Sequence, residues 1–495
     1  MFWIGYDIGS SSIKAALINE EDGGTHGIAQ YPEKEMPIDS PKIGWGEQDP
    51  NMWWENLCKA TAKLLKDTSV SADDIKGIGI SYQMHGLVLV DKDLEVLRSS
   101  IIWCDSRAVE TGNILFEKSG SEKCVERLLN SPGNFTLSKL KWVKDNQPEI
   151  YEKIYKFMLP GDFIAMKLSG KCVTTPSGLS EGITWDFKDN ASAEWLLKDA
   201  GIDSNLIPEI LPSFANQGEV NSVASKQTGL PEGIPIMYRA GDQPNNAIAL
   251  NVLNPGEVAA TGGTSGVVYA ISDRESTKES TRINSFAHVN HTAEAPRIGK
   301  MLCINGTGIQ YSWVRNQLTD NLPYGEMNKM ALEVPIGSEG LRILPFGNGA
   351  ERMLNNNNDG GRILNLNFNI HKKQHIFRAA LEGIAFSFVY GLEILKNDGV
   401  DLSTIKAGND NLFRSEIFSN TISTLTGSEI KIVETTGAVG AARAAAYAAG
   451  DFKSFDEAVA TDEVQFTYKP LADKEPYQKA YDLWKQELTE YINRF

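Results

Sequence analysis

Two stretches of the chain alternate apolar and polar residues on both sides of a bend rich in glycine and hydroxyl side chains. The first, FWIGYDIGSSSIKAALIN, covers residues 2–19, and the second, VAATGGTSGVVYA, covers residues 258–270. Alternation around a glycine-rich bend predicts two antiparallel strands, a β-hairpin. In an ordinary hairpin the glycines only supply backbone angles that other residues avoid. The same plan in each half of the chain favours a further use, in which the two bends hold one ligand between them.

Most of the remaining chain alternates between strand and helix patterns. Two strands are predicted in IKGIGISYQMHGLVLV, with a polar loop at residues 81–86. Helical spacing of apolar residues predicts a buried helix over residues 376–395, and GAVGAARAAAYAAG predicts an alanine-rich helix packed closely on a neighbour. A strand, a helix and a strand are predicted around GDQPNNA. These patterns favour a duplicated α/β domain, and we place the boundary near Pro244, between domains of residues 1–244 and 245–495.

Length, charge and cysteine content narrow the class of protein. A chain of 495 residues exceeds what one hydrophobic core usually fills. A net charge of −16 without a cluster of lysines and arginines argues against nucleic acid and favours small-molecule partners. Five scattered cysteines indicate reduced thiols in a cytoplasmic protein. No apolar run approaches the roughly 20 residues of a membrane helix, so no membrane attachment is expected. The oligomeric state stays open, with a homodimer as one candidate.

The common nucleotide-binding motifs are absent from the sequence, since G-x-x-x-x-G-K-[ST] and G-x-G-x-x-G occur nowhere. In DIGSSSIK, however, Asp7 ends a predicted strand, and the amides and hydroxyls of the following bend can surround an anion. A carboxylate beside phosphates requires a divalent cation between them, which predicts Mg²⁺ bound largely through water. Two histidine pairs, His288 with His291 and His371 with His375, lack further metal-ligating partners in the sequence and are not assigned to a metal.

Four segments, in this order, resemble the FGGY carbohydrate kinases of the sugar kinase, Hsp70 and actin superfamily: DIGSSSIK, GDQPNNA, GGTSG and FRAALEG. The segment FTLSKLKWVKDN, with Lys139 and Trp142, and the segment HIFRAALE are similar to the two long signatures of that family, from which Asn134 and Asn365 depart. The resemblance extends over residues 5–450. It implies two actin-like, RNase H-like α/β domains with the active site in the cleft between them.

The resemblance also answers what the two bends are for, because it implies that both hold the phosphates of ATP. It assigns to the nucleotide Gly9, Ser10, Ser11, Ser12, Gly263, Thr264 and Ser265. It makes Asp242 the general base that takes the proton of the sugar hydroxyl, and Asp7 the carboxylate that orients Mg²⁺ through water. Judged from the residues alone, Asp242 can equally be the N-cap of the helix that follows it.

The adenosine contacts are where the sequence departs most from the family pattern. The family usually has G-G-G-x-x-S late in the chain, whereas this sequence reads AGNDNLF at residues 407–413. An N-x-F form and the segment NGTGIQYSW resemble the corresponding parts of glycerol kinases. By that resemblance, the further nucleotide contacts are Gly306, Gln310, Gly408 and Asn411.

The acceptor is indicated by YQMHG and IIWCDSR, which resemble segments of the family members that phosphorylate xylulose. The resemblance implies conversion of D-xylulose to D-xylulose 5-phosphate, with sugar contacts from Met84, His85, Asp105 and Gln243. Gln243 stands where those members commonly have asparagine, so gluconate, ribulose and glycerol stay open as acceptors. On the residues alone, His85 can be a loop histidine with ordinary partners. A nucleotide-driven switch of the chaperone or actin type is the alternative from another class.

Overall fold

The structure is a computed structural model that describes residues 1–358, 360–409 and 411–493. The strands are β1 (Phe2–Ile8), β2 (Ile13–Asn19), β3 (Thr25–Tyr31), β4 (Glu47–Gln48), β5 (Ile75–Tyr82), β6 (Val88–Val90), β7 (Ser100–Ile101), β8 (Lys156–Met158), β9 (Val173–Thr174), β10 (Trp185–Asp186), β11 (Ala191–Ser192), β12 (Glu209–Ile210), β13 (Ile236–Gly241), β14 (Glu257–Gly262), β15 (Gly266–Ser272), β16 (Asn284–Ala287), β17 (Ile298–Ile304), β18 (Arg342–Leu344), β19 (Arg362–Leu364), β20 (Thr404–Gly408), β21 (Glu429–Val433) and β22 (Val464–Tyr468).

The helices alternate with these strands along most of the chain. They are α1 (Pro50–Thr68), α2 (Val109–Ser119), α3 (Ser121–Leu128), α4 (Thr136–Asn146), α5 (Pro148–Tyr151), α6 (Pro160–Ser169), α7 (Pro176–Glu181), α8 (Glu194–Ala200), α9 (Ser222–Thr228), α10 (Asp242–Ala249), α11 (Gly308–Leu318), α12 (Tyr324–Leu332), α13 (Lys373–Asn397), α14 (Glu416–Thr426), α15 (Gly437–Ala448), α16 (Phe455–Ala458) and α17 (Glu475–Ile492). The helix predicted over residues 376–395 is confirmed as α13 and is longer by a few residues at each end.

The two halves of the chain build their central sheets on one plan. In the first sheet the strand order is β13-β5-β1-β2-β3, where β1, β2 and β3 are antiparallel neighbours and β5 and β13 run parallel to β1. The second sheet contains the order β17-β15-β14-β20-β21 with the same pattern of directions, and β16 and β22 extend its edges. The predicted duplication of an α/β domain is therefore confirmed.

Helix α15 follows most of the second sheet in sequence, yet it packs directly on the first sheet. A Cβ at Gly5 in β1 would lie 1.9 Å from the Ala438 carbonyl oxygen, and one at Gly79 in β5 would lie 1.9 Å from that of Ala441. Only glycine allows backbones to approach this closely. The close packing predicted for the alanine-rich helix is confirmed, and its partner is the sheet of the other half.

A shared hydrophobic core joins the two halves beside the ends of these strands. It includes Met84 and Phe135 from the first half and Tyr269 and Phe286 from the second. Strand β16 is fixed against α7 by a hydrogen bond from the Ala287 amide to Ser180 Oγ (2.9 Å). The boundary predicted beside Pro244 falls within α10 and stays a prediction.

Candidate active site

Two carboxylates emerge at the same edge of the first sheet. Asp7 is near the carboxyl end of β1, and Asp242 directly follows β13 and begins α10. Both strands run parallel to β5, which lies between them, so their carboxyl ends meet at one edge. The Ser81 hydroxyl donates to Asp7 Oδ1 at 3.1 Å. The sheet topology thus brings together the two acidic residues that the sequence singled out.

The surroundings of these carboxylates oppose their ionisation. Burial raises the pKa of Asp7 above its ordinary value. Burial, with a smaller contribution from the neighbouring charge of Asp7, raises the pKa of Asp242 to about 7. A carboxylate with a pKa near neutral pH can both take up and release a proton there, which is the property that a general base requires.

The first loop, residues 9–12, connects β1 to β2. The Gly9 amide donates to the Ser12 carbonyl oxygen at 3.1 Å, which closes the turn. Two carbonyl oxygens of the loop accept hydrogen bonds from outside it, that of Ser10 from Gln48 Nε2 (2.7 Å) and that of Ser11 from the Met36 amide (2.8 Å). The loop is therefore fixed in place next to Asp7.

The second loop, residues 263–265, connects β14 to β15. Its carbonyl oxygens accept hydrogen bonds from the first residues of α11, from Gly308 to Gly263 (2.9 Å) and from Ile309 to Thr264 (3.0 Å). A Cβ at Gly308 would lie 2.3 Å from the Gly263 oxygen, so only glycine permits this contact. Around Gly263 itself, by contrast, a Cβ would meet nothing closer than 3.8 Å. The second loop is therefore closely packed on the side of Gly308 and has open space beside Gly263.

A cavity of about 690 Å³ opens between the second loop, α11, α12 and the turn that follows β20. The stacked rings of Tyr311 and Tyr324, with centroids 5.6 Å apart, stand at the α11 and α12 side. Its lining comprises Gly262, Gly263, Thr264, Gly308, Ile309, Tyr311, Ser312, Tyr324, Gly325, Asn328, Asn411, Leu412, Arg414 and Ser415. Backbone amides beside an aromatic wall suit a nucleotide, whose phosphates and base need these two kinds of partner.

His85 is held on several sides in the loop after β5. Its backbone has a φ of 62°, in the left-handed region, its amide donates to Glu181 Oε1 (3.3 Å), and its carbonyl oxygen accepts from Lys139 Nζ (2.8 Å). Nδ1 lies 3.1 Å from the Glu181 carbonyl oxygen, so Nδ1 carries the proton and Nε2 is a hydrogen-bond acceptor. Burial, and secondarily the charge of Lys139, lowers the pKa of His85 to about 3. The imidazole is therefore neutral and suited to binding a hydroxyl group.

Comparison with known proteins assigns the chain to a family. The N-terminal domain model of the FGGY family of carbohydrate kinases matches residues 2–249, and the C-terminal domain model matches residues 258–449. The chain belongs to the FGGY family. This carbohydrate kinase is 27% identical to the xylulose kinase of Bacillus subtilis (strain 168), over 98% of this chain and 96% of that protein. The enzyme thus shares nearly its whole length with that relative.

Solved structures share the architecture of this FGGY kinase. The crystal structure of xylulose kinase from Rhodospirillum rubrum superposes with a TM-score of 0.89 at 26% identity and covers 100% of both chains. That of gluconate kinase from Lactobacillus acidophilus gives a TM-score of 0.88 at 22% identity, over 99% of this chain and 98% of that one. The predicted pair of actin-like domains is confirmed.

The predicted sugar contacts of the kinase lie around Asp242, with one difference. Met84 packs on Gly241, where a Cβ would lie 2.6 Å from Met84 Cγ, and Gln243 hydrogen-bonds Asp242. Asp105 is fully buried, and its carboxylate already accepts from the Gly46 amide (2.7 Å) and forms an ion pair with Arg107 (2.6 Å). A sugar contact by Asp105 stays a prediction. Its hydrogen bond from Gly46 and its ion pair with Arg107 stabilise the loop that contains it.

Some of the predicted nucleotide contacts lie outside the cavity lining. Gly306 packs so closely on Pro345 that a Cβ would lie 1.6 Å from its carbonyl oxygen. Gln310 lines a neighbouring cavity of about 380 Å³, and Gly408 ends β20 just before the turn. Gly263, Thr264 and Asn411 do line the larger cavity. The nucleotide roles of all these residues stay predictions.

Two buried ionisable groups support the site, and the sequence assigned a role in it to neither. Lys139 joins two loops by donating to the carbonyl oxygens of His85 and Ile102 (2.8 and 3.0 Å), and burial lowers its pKa to about 7. Burial raises the pKa of Glu181 well above its ordinary value, and Oε2, which has no hydrogen-bond partner among the described residues, would lie 2.4 Å from a Cβ at Gly241. Lys139 stood in a family signature, whereas no sequence pattern marked Glu181.

Two further side chains of the first half belong to this region. Trp103, in the segment IIWCDSR, is 54% exposed, with Nε1 3.5 Å from Ser10 Oγ in the first loop. Asn134 donates to the Asp105 carbonyl oxygen, while its Oδ1 is buried without a hydrogen-bond partner in the described part of the chain.

The described residues include no helix that is both long and apolar enough to cross a bilayer.

Proposed function

We propose that this kinase transfers the γ-phosphoryl group of ATP to D-xylulose and forms D-xylulose 5-phosphate. The observation that carries the proposal is Asp242, a carboxylate whose pKa is raised to about 7 and which lies beside Asp7 and the predicted sugar contacts. The choice of sugar is supported by relatives that carry the name xylulose kinase, such as that of Bacillus subtilis (strain 168).

In this mechanism the acceptor lies between Asp242 and His85. An Oδ atom of ionised Asp242 accepts the proton of the C5 hydroxyl as its oxygen attacks the γ-phosphorus, and the bond from that phosphorus to the bridging oxygen breaks so that ADP leaves. Neutral His85 accepts a hydrogen bond from another hydroxyl of the sugar through Nε2, and Gln243 and Met84 contact the rest of the sugar. The amides of the first and second loops bind the phosphates. Phosphoryl transfer depends mainly on such positioning and on stabilisation of charge.

The residues present fit a magnesium ion that has few protein ligands. Asp7 and Asp242 repel one another, and a cation beside Asp7 would relieve that repulsion. Among the described residues, no cluster of three or more histidine, cysteine, aspartate or glutamate side chains can hold a metal. Mg²⁺ commonly binds through one or two carboxylates, water and substrate phosphates. Asp7 would hold it through water, and the ion would supply charge neutralisation at the phosphates.

The test is sugar-dependent release of ADP from MgATP with D-xylulose, D-ribulose, D-gluconate and glycerol as acceptors. We expect kcat/KM to be highest for D-xylulose, with the phosphate on its C5 hydroxyl. A higher kcat/KM for another acceptor would overturn the choice of sugar. ATP hydrolysis that no sugar stimulates would overturn acceptor phosphorylation and favour the nucleotide-driven switch.

A further inference from the structure

The loop after β18 carries an arginine that the mechanism above does not use. Glu351, in this loop, is buried, and its Oε2 accepts from the Asn305 amide at 2.8 Å, with further hydrogen bonds from the amides of Gly306 and Met353. These contacts anchor the loop beyond the carboxyl end of β17. The next residue, Arg352, is therefore fixed in position by its neighbour.

The guanidinium group of Arg352 is short of partners. Its Nη2 donates to the Ser280 carbonyl oxygen at 3.2 Å, while Nε is fully enclosed and has no hydrogen-bond partner among the described residues. No described carboxylate lies within ion-pair distance of it. Three arginines that are buried more deeply than Arg352 do have one: Arg239 with Asp162 (3.0 Å), Arg378 with Glu382 (2.7 Å) and Arg443 with Asp462 (2.6 Å). A half-buried cation without a counter-charge is costly unless a ligand supplies the missing partner.

The surroundings place Arg352 on the acceptor side of the cleft. Ser280, which it contacts, precedes β16, and Phe286 of β16 stands 5.4 Å from the His85 ring, measured between centroids. Burial raises the pKa of Cys303 and the charge of Arg352 opposes that rise, while burial lowers the pKa of His85 and the charge of Arg352 adds a small part, so Arg352 lies near both side chains. Cys303 in β17 pairs with Val267, next to the second loop. The lining of the large cavity does not include Arg352.

We propose that Arg352 is an acceptor-binding residue of the C-terminal half, and that it donates hydrogen bonds to a carbonyl or carboxylate oxygen of the acceptor. The contact is made at the end away from the phosphorylated hydroxyl. A guanidinium has donors only, and its hydrogen bonds are strongest to planar oxygen acceptors such as these. His85, across the cleft, offers an acceptor in Nε2. A ketose matches this pair of groups, because it has a hydroxyl beside a carbonyl, whereas a polyol lacks the carbonyl.

The inference rests on the proposed function, and its test compares acceptors that differ at the carbonyl. Wild-type enzyme, Arg352→Met and Arg352→Lys are assayed for kcat/KM with D-xylulose, D-gluconate and xylitol, and for dissociation constants of D-xylulose and xylitol by calorimetry. Xylitol replaces the carbonyl of D-xylulose by a hydroxyl, and D-gluconate supplies a carboxylate. The control is Arg342→Met, because Arg342 lies in the same half but pairs with Glu487 at 3.0 Å.

We expect Arg352→Met to lower the ratio of kcat/KM for D-xylulose over xylitol by about 10- to 100-fold, the usual effect of losing a hydrogen bond to a charged group. The dissociation constant of D-xylulose should rise, and that of xylitol should change little. Arg352→Lys keeps the positive charge but lacks the planar guanidinium group, so its ratio should lie between those of Arg352→Met and wild type. Should Arg352→Met fail to fold, Arg352→Gln serves the same comparison. Arg342→Met should keep the wild-type ratio.

A fall in kcat that is equal for all acceptors, with an unchanged ratio, would overturn the inference and place Arg352 at the transferred phosphoryl group. If the wild-type enzyme is active on D-xylulose and Arg352→Met has the same ratio of kcat/KM for D-xylulose over xylitol, this inference is contradicted and the proposed function is not. Wild-type enzyme that phosphorylates none of the acceptors contradicts the proposed function. In that case the two dissociation constants still report whether Arg352 distinguishes the carbonyl.

Discussion

At the scale of single residues, the candidate site contains several ionisable groups that are costly to bury. Asp7, Asp242, Glu181 and Lys139 all have pKa values shifted by burial in the direction that opposes charge. Such shifts cluster at functional sites, because chemistry needs groups that can change protonation near neutral pH. The fold holds these groups together although each would be more stable in water.

The first prediction concerns the removal of the proposed base, Asp242. Asp242→Asn keeps the size of the side chain but cannot accept the hydroxyl proton. We expect kcat with D-xylulose to fall by about 10²- to 10⁴-fold or more, with little change in the dissociation constant of the sugar. Sugar-dependent ADP release and calorimetric binding provide the two measurements.

Asp7→Asn is the matched variant, since it changes the other carboxylate at the same edge of the sheet. It should also slow turnover, through the placement of Mg²⁺ and phosphate, so a rising Mg²⁺ concentration should partly restore it and should not restore Asp242→Asn. If folded Asp242→Asn phosphorylates D-xylulose within a few-fold of wild type, Asp242 is not the base.

The neutral histidine gives the second prediction. The pKa of His85 is lowered to about 3, so His85 does not exchange protons with the substrate near neutral pH, and its expected role is to bind the sugar. His85→Ala should raise KM for D-xylulose more than it lowers kcat. The exposed residue His26, in the same half of the chain, supplies the control, His26→Ala, for which both constants should stay at wild-type values. A large loss of kcat at unchanged KM would instead assign His85 to the chemical step.

At the scale of elements, the sequence predicted what alternation and helical spacing can reveal. Both hairpins, the long helix α13 and the alanine-rich helix α15 follow from local periodicity. The sheet on which α15 packs could not be predicted in this way, because a contact with a sheet far away in the chain leaves no pattern in the local sequence. Arg352 and Glu181 were missed for the same reason, since each becomes meaningful only through contacts with residues far away in the chain, such as Ser280 and Gly241.

The second loop gives the third prediction, which separates a binding glycine from a packing glycine. Gly263 has room for a side chain, so Gly263→Val should fold, yet its methyl groups should block the approach of phosphate to the backbone. We expect weaker binding of ATP, measured by calorimetry, and an unchanged dissociation constant for D-xylulose.

Gly308→Val provides the contrast for this loop. Its Cβ would meet the Gly263 oxygen at 2.3 Å, so this variant should lose thermal stability as well as ATP affinity. Unchanged ATP affinity in a folded Gly263→Val variant would mean that the loop does not hold the phosphates.

At the scale of the whole molecule, two copies of one sheet plan meet at a shared core, and the candidate site lies where they join. The sequence predicted the duplication from the paired hairpins. The joining contacts, such as that between Ala287 and Ser180, depend on side chains with no distinguishing pattern and could not be predicted. Closure of such halves over substrates would exclude water, which suits transfer to a sugar in place of hydrolysis.

The fourth prediction concerns how the stability of the ligand-free protein depends on pH. The pKa of Asp242 is raised from 3.8 to about 7 in the folded protein, so the folded state holds a proton that the unfolded state releases. Stability must therefore fall as pH rises between these two values. Asn at this position carries no charge at any pH. Asp242→Asn should raise the melting temperature relative to wild type, and by more at about pH 8 than at about pH 5.

Thermal unfolding of wild type and Asp242→Asn at both pH values, without ligands, measures this difference, and the exposed residue Asp320 supplies the control variant Asp320→Asn. The control should shift the melting temperature little and equally at both pH values. A gain for Asp242→Asn that is the same at both pH values, or larger at the lower one, would contradict the raised pKa. If the expected pattern is found, the same substitution, Asp242→Asn, raises the stability of the ligand-free kinase and removes its turnover. The carboxylate of Asp242 would then lower the stability of the folded protein at neutral pH because the proposed chemistry requires it there.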